Sequence, residues 1–88
     1  MRIRQGRYLY NIGNNIQKIR KSKKLSQQDT VSYLQLLGID ISRQYYSQIE
    51  RGDANIKVEI LLALCELFHC EISDFFEGIT LKYENEDF

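Results

Sequence analysis

Between Ile41 and Gly52 the chain reads Ile-Ser-Arg-Gln-Tyr-Tyr-Ser-Gln-Ile-Glu-Arg-Gly, and the side chains there with chemistry to offer are glutamine and arginine. A glutamine amide pairs with adenine through two hydrogen bonds in the major groove, and an arginine guanidinium does the same with guanine or clamps a phosphate. At about 100° per residue, Gln44, Gln48 and Arg51 share one face of a helix over this stretch. Tyr46 and Ile49 take the opposite face, with Ser42 almost beneath them. The apolar pair is the expected anchor and the polar face the expected reader. A merely solvated helix face has the same pattern, so the rest of the chain has to decide between the two.

No catalytic constellation accompanies these residues. Ser47 has no histidine nearby, the only one being His69 far along the chain, and the acids Asp53 and Glu59 lack a pocket-forming context. No triad or acid–base pair is suggested, and the chain reads as a non-enzyme with no cofactor. Cys65 and Cys70 are five positions apart, beyond disulfide reach if both are helical, and one histidine does not complete a metal set. Buried free thiols and no metal are expected.

The elements that must position the reading face follow from caps and periodicity. Ser42 is a suitable N-cap and Gly52 a suitable left-handed C-terminal residue, giving a short helix over 42–51. Asn11 caps a preceding helix to about Ser22, with Ile12, Ile16 and Ile19 on one stripe and Lys18, Arg20 and Lys21 around it. Leu25 is a buried bridge. Ser26 caps a second helix from Gln27 to about Leu36, with Thr30, Val31 and Leu34 turned inward, and the free N–H groups of its first turn, beside Gln27, suit a phosphate oxygen. Leu37-Gly38-Ile39-Asp40 is a connecting turn. After the loop Asp53-Ala54-Asn55, Val58, Leu61, Leu62, Leu64, Cys65 and Phe68 form the most apolar helix, and Ile72 to Phe76 a short fifth one ending near Gly78. Residues 1–11 form an extended arm that lies along DNA, pairs as a strand with Ile79 to Tyr83 or stays disordered; residues 79–88 are a C-terminal extension with an acidic, loose end.

With 88 residues the chain holds one domain and one core, residues 12–78. No apolar run exceeds Ile60 to Cys65 and the first residues lack a signal-peptide hydrophobic region, so the expectation is a cytoplasmic protein with no membrane contact. The net charge of zero conceals polarity: residues 1–24 carry eight Lys/Arg and no acid, whereas residues 71–88 carry six acids against Lys82 alone. A basic end suits phosphate binding.

From Ile12 to Phe76 the chain resembles the helix-turn-helix domain of phage-repressor type, the Cro-like group that includes the xenobiotic-response regulators. The resemblance rests on Ile12-Gly13, Ile16-Gln-Lys-Ile-Arg-Lys21, Leu25-Ser26-Gln27, Ile41-Ser42-Arg43, Tyr46-Ser47-Gln48-Ile49-Glu50-Arg51-Gly52, Leu61-Leu62 and Asp74-Phe75-Phe76, in that order and spacing. It implies an all-α, five-helix lambda-repressor-like fold whose second and third helices form the helix-turn-helix. It implies base reading by Arg43, Gln44, Tyr45 and Gln48, phosphate contact by Gln27, and an ion pair between Arg20 and Glu50. With the basic residues of the first helix and the end of the third, the expected phosphate set is Gln27, Lys18, Lys21, Ser47 and Arg51. Four departures stand out: Leu37 to Ile41 lengthens the join between the second and third helices, Val31 replaces a small alanine, Lys24 replaces a helix-ending glycine, and Asp53-Ala54 replaces a loop that is often basic.

The function expected is a sequence-specific regulator binding double-stranded DNA as a homodimer, with no small-molecule ligand evident. The dimer contact is expected from Phe75, Phe76, Ile79, Leu81 and Tyr83, more apolar surface than one short helix buries on a small core. The alternative is a protein-interaction module of the same fold, antitoxin-like or an adaptor, favoured by Asp53, the zero net charge and the acidic tail.

Overall fold

A computed structural model describes residues 2–3 and 12–79. In chain order these form β1 (Arg2–Ile3), α1 (Ile12–Ser22), α2 (Gln27–Leu36), α3 (Arg43–Arg51), β2 (Ile56–Lys57), α4 (Val58–Phe68) and a terminal 3-10 helix (Ile72–Phe76). The all-helical expectation therefore needs two corrections. The fifth helix is a 3-10 turn, and a two-residue antiparallel pairing joins β1 to β2, with Arg2 opposite Lys57 and Ile3 opposite Ile56. The arm's strand partner is thus the entry to α4. The alternative partner, Ile79 to Tyr83, lies outside the described residues beyond Ile79, as do Leu81, Tyr83, the acidic tail and residues 4–11.

The core takes one side of every helix: Ile12 and Ile16 from α1, Val31 and Leu34 from α2, Tyr46 and Ile49 from α3, and Ile60, Leu61, Leu64 and Phe68 from α4. Phe75 completes it, fully buried and edge-on to Phe68 at 6.4 Å and 81°. That placement removes Phe75 from the expected dimer surface. Leu62 is exposed, and Leu25, expected buried, is only half-buried. The backbone of α1 lies directly on the last turn of α3: a Cβ on Gly13 would stand 2.0 Å from the Ile49 carbonyl oxygen, so only glycine permits this approach.

Each cap has a side-chain or backbone cause. Ser26 Oγ accepts from Asp29 N at 2.9 Å while Asp29 Oδ2 accepts from Ser26 N at 3.0 Å, a reciprocal box that starts α2. These hydrogen bonds, the backbone one foremost, hold the Asp29 carboxyl below its usual range. Ser42 Oγ accepts from Tyr45 N at 3.0 Å to start α3, and Gly52 closes it at φ 83°. The lengthened join is absorbed without prolonging α2. Gly38 turns left-handed at φ 86°, Ile39 N donates back to Leu34 O at 3.1 Å, and Ile41 plunges into the core with its carbonyl held by Gln35 Nε2 at 2.9 Å. Leu36 and Leu37 are left exposed at the tip. Lys24, in the usual glycine position, takes φ 60°, and His69 takes φ 55° after α4.

Cys70 is consequently not helical. The chain reverses at His69 and Cys70 N donates to Cys65 O at 3.1 Å, so the separation expected for two helical cysteines does not hold.

Candidate nucleic-acid interface

The recognition helix is held from beneath by a buried ion pair. Glu50, on the inner flank of α3, accepts from Arg20 Nε at 2.7 Å and from Arg20 Nη2 at 3.1 Å, and the two side chains are 1% and 7% exposed. Arg20 also donates to Leu25 O at 2.7 Å, which ties the turn after α1 to the same guanidinium. Burial alone would raise the Glu50 carboxyl. The hydrogen bonds from Arg20 and Gln27 and the guanidinium charge outweigh it, so the group sits below the usual carboxylate range. The Arg20 guanidinium is raised in turn, first by its hydrogen bond to Glu50. Tyr46 Oη is buried beside Glu50 and Thr30 without reaching a hydrogen bond of normal geometry, and burial is the main cause that pushes the phenol upward.

From this buried pair a polar chain leads outward. Gln27 Nε2 donates to Glu50 Oε1 at 3.0 Å, and Gln27 Oε1 accepts from Arg43 Nε at a longer 3.4 Å. The first residue of α2 and the first of α3 are thereby brought together, and Arg43 is held by Nε alone in these contacts. Gln44 is exposed and Gln48 half-buried, both on the side of α3 opposite Tyr46 and Ile49. Tyr45 is turned another way: its hydroxyl donates to Asn55 O at 2.8 Å, bracing the loop after α3.

At the other end of α3, Arg51 Nε donates to Asp53 Oδ2 at 3.1 Å and Nη1 to Ser47 Oγ at 3.3 Å. This pair is exposed, 59% and 63%, so its strength is small and a phosphate can compete for the arginine. Lys18 and Lys21 are both exposed on α1, and Lys18 lines a cleft of about 340 Å³ against the 3-10 helix, with Asn15, Cys70 and Asp74. Two positions from Arg20, it lies on nearly the opposite side of α1 from the α3 contact.

Sequence reasoning missed several positioning residues. Asp29 closes the α2 box, and its spacing of three from Ser26 was the available signal. Asn15 Nδ2 donates to Phe75 O at 2.8 Å and to Glu77 O at 2.9 Å, clamping the 3-10 helix to α1. Nothing in its local pattern marks it, because its partners lie sixty residues away.

The model of the HTH_3 helix-turn-helix family matches residues 16–75, which contain every contact of the buried network. The chain belongs to the HTH_3 family. Among solved structures it is similar to the restriction-modification controller protein C.AhdI from Aeromonas hydrophila, at 29% identity over 74% of this chain and 91% of that one, with a TM-score of 0.60. It is also similar to an HTH_3 family transcriptional regulator from Vibrio cholerae, at 32% identity over 74% of this chain, with a TM-score of 0.58. The match spans 34% of that second, longer chain. No curated protein sequence gives a significant match. In this HTH_3 protein, α2 and α3 are the helix-turn-helix pair, joined by the capped turn at Gly38.

Proposed function

We propose that this HTH_3 protein is a DNA-binding transcriptional regulator that enters the major groove with the outward face of α3 and acts without chemistry of its own. The observation that carries the reading is the built support beneath that face: a buried Arg20–Glu50 pair, extended through Gln27 to Arg43, spends four charged or amide side chains on fixing the start of α3. An arginine held at Nε keeps both outer nitrogens for guanine O6 and N7, and Gln44 and Gln48 beside it have the amide geometry for adenine. Tyr45, braced on Asn55, borders this surface with its ring. Phosphates on either side are met by the first turn of α2 with Gln27, by Lys21, and by Ser47 and Arg51 once Arg51 leaves Asp53.

Two such helices on a two-fold symmetric site are the simplest assembly. The exposed Phe76 and the half-buried Ile79 at the C-terminal end suit the contact, with Phe75 behind them as core. A homodimer in the cytoplasm is the form proposed. The described residues contain no helix long and apolar enough to cross a membrane. The likeness to a restriction-modification controller protein and to an HTH_3 family transcriptional regulator favours a regulatory role over one as an adaptor.

Selection from random duplexes, followed by sequencing, tests this directly. Enrichment of a two-fold symmetric motif is expected. Failure to enrich any motif, with heparin passage at low salt, would leave the interaction-module reading in its place. Sedimentation of Phe76→Ser against the parent chain tests the dimer: a monomeric parent removes that part.

A further inference from the structure

The two cysteines meet at the end of α4. A helix closed by a left-handed residue returns the N–H two positions past its last helical residue to the carbonyl four before the closing one, and the side chains of those two residues are frequently in contact. Here the closing residue is His69 and the returning bond, 3.1 Å, runs from Cys70 to Cys65. A single N–H to O=C bond of this length keeps two Cα atoms within roughly 7 Å of each other, which overlaps the range that disulfides span. Both side chains are half-buried and unoxidised, and Cys70 opens onto the cleft between α1 and the 3-10 helix. Any two apolar residues would serve that cap contact, whereas a thiol pair adds chemistry.

We propose that Cys65 and Cys70 are a dithiol–disulfide exchange site, at which a small-molecule disulfide entering the α1 cleft closes an intrachain bond across the end of α4. The Cys70 thiol gives its proton to solvent, and its thiolate attacks one sulfur of the small disulfide, making a mixed disulfide and expelling one small thiolate. Cys65, deprotonated in turn, attacks the Cys70 sulfur and expels the second. Two electrons pass from the protein dithiol to the small disulfide, which leaves as two thiols once the solvent returns the two protons. The product pins the first residues after α4 to its last turn and so fixes where the 3-10 helix begins.

The surroundings set the rate. Burial, followed by the Cys65 thiol and the Asp74 carboxylate, pushes Cys70 up to about 11, against Lys23 of α1, which favours the thiolate. Burial also raises Cys65, with Asp74 and Glu71 adding to it. Lys18, His69 and Glu77 complete the charged rim of the cleft. The attacking thiolate is therefore scarce at neutral pH. Exchange starts slowly and quickens about tenfold per pH unit below the Cys70 value.

The test incubates the whole chain in oxidised and reduced glutathione, folded and in concentrated urea, then traps free thiols by alkylation and weighs the intact protein. The expected product is a monomer lighter by two hydrogens with no alkylatable thiol. Cys65→Ala and Cys70→Ala should instead each retain one glutathione. The ratio of ring-closed to mixed-disulfide species should be at least about tenfold higher in the folded chain than in urea, because the fold holds the pair together. Uptake of two glutathiones, disulfide-linked dimers, thiols that stay reduced in the most oxidising buffer, or equal ratios in the two conditions would each overturn the proposal.

Discussion

Replacing Glu50 removes the acceptor for three donors at once, Arg20 Nε at 2.7 Å, Arg20 Nη2 at 3.1 Å and Gln27 Nε2 at 3.0 Å. In Glu50→Leu the guanidinium keeps only the Leu25 carbonyl, in a site where 7% of its side chain reaches water. Breaking a buried pair by deleting one partner costs about 3 to 5 kcal/mol, since the remaining charge stays desolvated. Total stability for a domain of this size is on the order of 5 to 10 kcal/mol, so Glu50→Leu should lose between about a third and nearly all of it. Arg20→Met leaves a buried carboxylate, which can escape part of the penalty by taking up a proton; a loss of about 2 to 4 kcal/mol is expected. The double variant has no orphaned charge, and its loss should be near 1 kcal/mol.

Urea unfolding of the four proteins at neutral pH measures this cycle, and a coupling of several kcal/mol is expected. Losses below about 1 kcal/mol for both single variants would refute the reasoning, because they would mean that water reaches the pair. A second readout separates stability from function. The double variant removes the support of Gln27, so its preference for one base at the pair facing Arg43 should weaken even though it stays folded.

Four further outcomes follow from the same geometry. The Glu50 and Asp29 carboxyls are both held below their ordinary values; the stability they contribute is complete above about pH 4.5 and is lost as pH falls through the lowered folded values, so acid titration of the folded state should show stability declining only below that point. Gly13→Ala would gain up to about 1 kcal/mol from helix propensity, but its methyl lands 2.0 Å from Ile49 O; a net loss of about 3 kcal/mol in chemical denaturation is expected, and a gain would contradict the close approach. Lys24→Gly relieves a left-handed backbone at φ 60° and should raise stability by about 0.5 to 1 kcal/mol, visible as a higher Tm. Gln44→Ala and Gln48→Ala should change stability by no more than about 0.5 kcal/mol while weakening the selected duplex by about 1 to 3 kcal/mol and scrambled duplexes hardly at all; equal losses on both duplexes would show that α3 does not read sequence.

The helices were legible because their signals are local. Ser26, Ser42 and Gly52 mark ends that the structure places where periodicity put them, and Gln27–Leu36 has the expected bounds. The Arg20–Glu50 contact was within reach because a resemblance supplied the long-range pairing that helix wheels lack. What stayed hidden depends on distance or on backbone reversal. Asn15 finds its carbonyls only after the 3-10 helix docks, and the two-residue strand pair forms only because α4 begins where β1 passes. Tyr45 sits on the reading helix yet spends its hydroxyl on Asn55, a carbonyl whose position no pattern in α3 encodes. The two thiols are free, and the condition under which the sequence sets them beyond disulfide reach, one helix running through both, does not hold because the backbone turns left-handed at His69.

One helix joins the reading surface to the expected dimer surface. On α1, Gly13 touches the backbone of α3, Arg20 grips Glu50 of α3, and Asn15 between them grips the carbonyls of Phe75 and Glu77. Helices are stiff over eleven residues, so the offset between α3 and the C-terminal contact is set by α1, together with the packing of Phe75 on Phe68 of α4, rather than by the loops. In a two-fold dimer that offset, doubled through the axis, determines the distance between the two recognition helices and hence the half-site spacing. Variation in the Leu36–Gly38 tip would leave the spacing unchanged, because that tip bears on neither contact. Loosening Asn15 would change it, because the residues after the buried Phe75, with the Glu77 carbonyl no longer held, would then be freer to shift relative to α3. Asn15→Ala should therefore broaden the range of half-site spacings recovered from random duplexes while leaving the bases read within each half-site the same, and a spacing distribution as narrow as that of the parent chain would show that the C-terminal end is positioned by something other than α1.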